Sequence, residues 1–151
     1  MSWAARLAEL GLVLPPVATP AGAYVPAVRS GSLVFTAGQL PLADGTLAVT
    51  GKLGAEVDTA QGHELAQTCA LNALAAVDGL VGLDTVVRVV KVVGFVASAP
   101  GFNAQASVLN GASELLGEIF GQAGRHARSA VGVTELPLGA PVEVELVVEV
   151  S

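Results

Sequence analysis

Seven of the twelve residues from Val86 to Ala97 are valine, and only Arg88 and Lys91 put charge into the run. Branching at Cβ stiffens χ1 and favours extended backbone over helix, so this stretch predicts a β-strand. Its apolar residues do not alternate cleanly with polar ones, which predicts burial on both faces and a central place in a sheet. A membrane helix needs roughly 18 to 20 uninterrupted apolar residues, and no run in the chain reaches that length.

The segments around this strand follow from turn chemistry and periodicity. Residues 24–28 and 33–37 are extended stretches separated by Ser30-Gly31-Ser32, which predicts a hairpin. Asp44-Gly45 marks a second turn before a short strand at 47–49. Asp58 followed by Gln61 has the spacing of a capping box, with Leu65, Cys69, Ala73, Ala76 and Leu80 at helical spacing behind it, and the helix is expected to end near Gly82. Val108, Ala112, Leu115 and Ile119 mark one face of a second helix, with Gly121 and Gly124 past its end. Strands at 127–133 and 142–148 close the chain. At the N-terminus Ser2 is placed to cap a short helix carrying Trp3, Leu7 and Leu10, ahead of Pro15, Pro16 and Pro20. The reading is an arm over residues 1–19 and one α+β domain over 20–151, a mixed sheet with two helices on one face.

That arrangement leaves one sheet face without cover. Hydrophobic residues make up 52% of the 151 and charged residues only 13%, too thin a polar coat for a monomer of this size. Self-association is the simplest cover. Seven basic residues against thirteen acidic ones give a formal charge of −6, which opposes the phosphate neutralisation behind most nucleic-acid affinity. The N-terminus carries Glu9 and no signal-type apolar block, which predicts a cytoplasmic protein. The single cysteine, Cys69, falls among alanines and leucines of the first long helix and reads as buried filler.

One cation stands out for chemistry. Alternation along 127–133 puts Arg128, Ala130 and Gly132 on one side and Ser129, Val131 and Val133 on the other, and the apolar set is expected to face the helices. In the last strand Glu143, Glu145 and Glu149 oppose Val142, Val144, Leu146 and Val148, so Arg128 and these carboxylates are expected to share the uncovered face. Small neighbours leave space beside a guanidinium whose planar fork suits a carboxylate. The bland alternative is a cross-strand ion pair of Arg128 with Glu143 or Glu145, and alternation does not choose between the two. His63 and His126 lack local metal-ligand partners and read as solvent-facing, and neither a metal nor an organic cofactor is expected.

Residues Gly22-Ala-Tyr-Val-Pro-Ala-Val28, Thr36-Ala-Gly-Gln-Leu-Pro41, Ala127-Arg-Ser-Ala-Val-Gly-Val133, Leu136-Pro137 and Val142-Glu-Val-Glu145 resemble, in this order, the Rid family, also called YjgF. The resemblance implies a chorismate-mutase-like fold assembled as a homotrimer, with clefts between subunits that hydrolyse reactive enamines and imines of the 2-aminoacrylate type to 2-oxo acids and ammonia. It implies that Arg128 grips the substrate carboxylate, that Glu143 positions water, with Glu145 the neighbouring choice, and that Tyr24, Ala37, Gly38 and Ala130 line the pocket. Tyr24 filling an interface, and Glu143 in a plain ion pair, are the structural alternatives. Ala37, Ala130 and Gly132 depart from the residues common at those places, and with the N-terminal arm they resemble a divergent branch. A trimer that binds small carboxylates without turnover is the runner-up. Ribonuclease activity, attached to some relatives, is disfavoured by the acidic balance, and chorismate mutase rests on fold analogy alone. Residue roles for Arg125 and His126 stay open.

Overall fold

The computed structural model describes residues 2–151. Its short first helix, α1 (Trp3–Glu9), is capped as read: Ser2 Oγ accepts from the Ala5 N–H at 3.0 Å. This arm is docked on the domain. The Trp3 indole N–H donates to Val86 O at 2.8 Å, its ring meets Phe120 edge-on at 4.9 Å, and Leu7 is buried.

The main sheet is built from β1 (Ala27–Ser30), β2 (Leu33–Thr36), β5 (Val86–Ala97), β6 (Ala127–Val133) and β7 (Val142–Val150), in the spatial order β1-β2-β7-β5-β6. All neighbours run antiparallel except β5 and β6, the parallel pair. One correction to the sequence reading follows: the valine strand β5 is interior but one place from the edge, and β7 is central. In the single chain Val87 and Val90 stand exposed on the uncovered side of β5. Its irregular pattern has a local cause: register shifts between Val86 and Arg88 and between Val89 and Lys91 insert bulges that break the alternation.

The first strand also begins later than expected, at Ala27, because Pro26 cannot donate to a ladder and Tyr24 belongs to the bend before it. Asp44 and Gly45 both adopt positive φ, 53° and 79°, and close a two-residue hairpin between β3 (Leu42–Ala43) and β4 (Thr46–Leu47). The strand expected at 47–49 is therefore half of a separate two-stranded sheet.

Two long helices, α2 (Thr59–Val81) and α3 (Gln105–Phe120), lie on one face of the main sheet. The capping box is present in both directions: Asp58 accepts from Gln61 N at 2.8 Å, and the Gln61 side chain accepts from Asp58 N at 2.9 Å. Val108, Ala112, Leu115 and Ile119 are buried as read, and so is Cys69, whose thiol is pushed far above its ordinary range by burial. The glycines decide how closely these layers approach. A Cβ on Gly94 of β5 would occupy the space of Leu109, and one on Gly111 of α3 would fall on the His63 carbonyl of α2. Val142, Val144, Leu146, Val148 and Val150 of β7 point into this core, each contributing roughly 1.5–3 kcal/mol by burial.

Candidate functional site

The face on which Arg128 sits is set by the β5–β6 register. Residues directly opposite on a ladder point to the same side of a sheet. Arg128 pairs with Val92 and Ala130 with Gly94; Val92 is fully buried under the helices and Gly94 receives Leu109 of α3. Arg128, Ala130 and Gly132 therefore lie on the helix side, and Ser129 and Val131 on the open side, where Val131 is 44% exposed. This inverts the sequence reading. Both faces of the sheet carry apolar residues, so an apolar set on β6 does not by itself identify the helix side, and β6 is an edge strand whose helix side meets the polar flank of α3.

That flank is made by Ala106, Asn110 and Ser113, spaced four and three residues apart along one side of α3. Arg128 Nη1 donates to Asn110 Oδ1 at 2.9 Å and to Ser113 Oγ at 3.1 Å, and Nη2 donates to Ala106 O at 3.4 Å. Every acceptor is neutral. A guanidinium has five N–H donors, so Nε–H and one Nη2–H are left over, and among the described residues no carboxylate pairs with this cation. Neither Glu143 nor Glu145 forms the cross-strand ion pair considered above. Asn110 and Ser113 were missed in the sequence because a polar pair on a helix flank looks like ordinary solvated surface.

Glu143 lies on the open side, opposite Phe95, and its carboxyl rests against the Cα of Gly38, where a Cβ would collide with it. The approach is made by a bulge. Phe35 pairs with Val147, but the next pairing is Gln39 with Val144, four residues on along one strand and three back along the other. The missing ladder bond is supplied by buried Thr36 Oγ1, which accepts from Leu146 N at 2.9 Å. Gly38 is turned toward Glu143 as a result, with Ala37 next to it in the bulge. Tyr24 shares a small hollow of about 60 Å³ with Gly38, Gln39 and Leu138. Its hydroxyl accepts from Ala21 N at 3.2 Å, and its ring is half exposed. Glu143, Gly38, Ala37 and Tyr24 are thus gathered in one region, and Arg128 is on the other face of the same sheet.

Burial, with the negative charge of Glu145 second, holds the Glu143 carboxyl above its ordinary pKa of 4.5. The folded chain then keeps this proton more tightly than the unfolded chain does, so stability is lost as pH rises through the interval between 4.5 and the raised value. Glu143→Gln is expected to raise the thermal midpoint at pH 8, with the gain gone at about pH 3, well below 4.5, where the wild-type carboxyl is protonated in both states. Parallel thermal melts at the two pH values check it; an equal shift at both would mean the carboxylate charge is not the cause.

His63 lies at the surface, where its Nε2 meets Glu114 Oε2 at 3.1 Å across the two long helices. His126 is not solvent-facing as read: it is half-buried between Ser113 Oγ at 2.9 Å and Gly124 O at 2.6 Å. Arg125 lines a different place, an open depression of about 580 Å³ shared with Arg88, His126 and Glu149. Among the described residues no group of His, Cys, Asp or Glu is arranged to hold a metal ion, and no helix is long and apolar enough to cross a membrane.

The family model described as endoribonuclease L-PSP matches residues 16–150. The chain belongs to this family. Its fold is that of the Rid (YjgF) proteins within it. Protein TCP17 of Trypanosoma cruzi is 47% identical over 150 residues, covering 98% of this chain and 94% of that protein. A crystal structure of a candidate endoribonuclease from Shewanella oneidensis MR-1 superposes with a TM-score of 0.95 at 34% identity, over 99% of this chain and all of that one, arm included. The crystal structure of Escherichia coli TdcF with bound serine superposes with a TM-score of 0.61 at 26% identity, over 91% of this chain and 94% of that one.

Proposed function

We propose that this family member hydrolyses small imines and enamines derived from amino acids to a 2-oxo acid and ammonia, in a cleft shared by two copies of the chain. The observation that carries the reading is Arg128: a cation held by three neutral acceptors, with two N–H donors left over and no carboxylate partner. Such a group is already oriented for a small acid, and Ala130 beside it on the strand adds only a methyl. A serine-bound relative supports a ligand of amino-acid size.

The reaction asks little of the protein beyond orientation and proton management. An enamine first takes a proton on carbon to become the imine. Water then adds its oxygen to the C=N carbon and one proton to nitrogen, the second proton passes from the new hydroxyl to nitrogen, and the C–N bond breaks to leave the 2-oxo acid and ammonia. Glu143 suits the water-handling role because burial raises its pKa above that of a free carboxyl, which makes it a stronger base toward water and a better keeper of the proton it takes. Since Glu143 and Arg128 stand on opposite faces of one sheet, the Glu143 that serves a given Arg128 comes from a neighbouring copy, with Tyr24, Ala37 and Gly38 as its cleft wall. The open face supports such an assembly, closed as a homotrimer: Val28, Phe35 and Val131 are about half exposed on it, Glu143 and Glu145 stand toward one end, and Arg88 and Lys91 toward the other. A face with opposite charges toward its two ends lets copies join head to tail, the heterologous contact that closes into a ring.

The test supplies an imine of the 2-aminoacrylate type and follows ammonia and 2-oxo acid, which should appear in equal amounts and faster than in protein-free buffer. A rate equal to buffer, with saturable pyruvate binding, would replace the reading by its runner-up, a trimer that binds small carboxylates without turnover; the small residues Ala130 and Gly132 are what favour that second reading. Cleavage of single-stranded RNA by the purified protein, abolished by substitution at Arg128, would overturn both.

A further inference from the structure

We infer that Ser113 and His126 act as a relay that positions Arg128, a role that rests on the carboxylate reading of that arginine. With a neutral His126 ring, each hydrogen bond of the relay has one direction. Gly124 O can only accept, so the 2.6 Å contact puts a proton on His126 Nδ1. Nε2 of the neutral ring is then an acceptor, and the Ser113 hydroxyl donates to it at 2.9 Å. With its one hydrogen committed, Ser113 Oγ presents lone pairs to Arg128 Nη1, which donates at 3.1 Å. The second Nη1 hydrogen goes to Asn110. The relay therefore ends by fixing the plane of the guanidinium and leaving Nε–H free for a ligand.

The far end of the relay is anchored. Gly124 is buried in the turn Gly121–Gly124 that follows α3, and it lies so close to α3 that a Cβ there would fall on the Leu116 carbonyl. The carbonyl that orients His126 is thus tied to the same helix that carries Ser113 and Asn110, so the acceptors of Arg128 form one rigid unit with it. A histidine so placed serves as an orienter without touching the ligand, as the third member does in nucleophile–base–orienter arrangements. Without the imidazole the Ser113 hydroxyl is free to turn its hydrogen toward Arg128, and one of the two acceptors on Nη1 is lost.

The experiment uses the full chain and two removals, Ser113→Ala and His126→Leu, each with a conservative counterpart, Ser113→Thr and His126→Gln, that keeps a hydroxyl or an acceptor at the same place. The first readout is ligand-free: ¹⁵N relaxation of the Arg128 Nε–H group, which should be ordered in wild type and in the conservative pair and mobile in the two removals. The second is calorimetric titration with pyruvate, expected to weaken about tenfold in the removals and to recover to within about threefold in the conservative variants, in line with the loss of a hydrogen bond to a charged group. Equal order of Arg128 Nε–H in all five proteins overturns the relay whatever pyruvate does. Order that follows the series while wild type fails to bind pyruvate keeps the relay and overturns the carboxylate reading instead. If one removal fails to fold, the other pair carries the same comparison.

Discussion

Chains carrying Arg128→Ala and chains carrying Glu143→Gln, each inactive alone, are expected to regain about a quarter of wild-type imine hydrolysis when they are co-refolded in equal amounts. Each substitution by itself is expected to lower the rate about a hundredfold or more, since one removes the charge-assisted grip on the carboxylate and the other the group that handles water. The recovery follows from placement. Arg128 is on the helix side of the sheet and Glu143 on the open side, so in the proposed ring each cleft takes its arginine from one copy and its glutamate from the next. In a closed ring filled at random, a cleft is intact when the first copy carries Arg128 and the second carries Glu143, which happens at about one interface in four. Ammonia release from the mixture, compared with the two parents refolded separately, reads this directly. A mixture as dead as its parents would show that the two residues do not serve one cleft.

Gly111→Ala is expected to destabilise the fold by about 2 kcal/mol or more, whereas Gly117→Ala on the same helix stabilises it by up to about 1 kcal/mol. Both replace a helical glycine by the best helix former, so propensity alone would favour each by up to about 1 kcal/mol. Packing separates them. The new methyl at 111 falls on the His63 backbone carbonyl, which cannot rotate away, so α2 and α3 have to part, and overpacking of that kind costs about 1–3 kcal/mol or more. At 117 the added methyl meets nothing within 4 Å. For a chain of this size the first change corresponds to a thermal midpoint lowered by at least about 4–8 °C and the second to a small rise. Equal shifts for the two variants would show that helix contact at Gly111 is looser than the geometry indicates.

Much of this architecture could be read before any coordinates, for reasons that belong to particular residues. Asp58 and Gln61 announce the start of α2 because a capping box needs only local spacing, and both of its hydrogen bonds are present. The strict alternation of β7 gives both its strand character and its faces, since valines and leucine fill one side and glutamates occupy most of the other. The two-residue strands β3 and β4 are too short to have a period, and only the Asp44-Gly45 turn betrayed them. The side on which Arg128 lies was misread for a deeper reason: alternation divides a strand into two faces without labelling them. The label came from Val92 and Gly94 on the neighbouring strand, a long-range register that no local pattern encodes. The partners of Arg128 on α3 were hidden by the same limit, because Asn110 and Ser113 acquire meaning only when β6 is laid beside them.

The docking of Trp3 on Phe120, far from the hollow that holds Tyr24, has an optical consequence. The chain contains one tryptophan and one tyrosine, so its near-ultraviolet signals come from two separate places without any label being added. Indole emission reports whether the arm is seated at the end of α3, and phenol absorption reports the surroundings of Gly38. A titration that perturbs the tyrosine band and leaves the tryptophan band still would trace an event to the hollow, and the reverse would trace it to the arm.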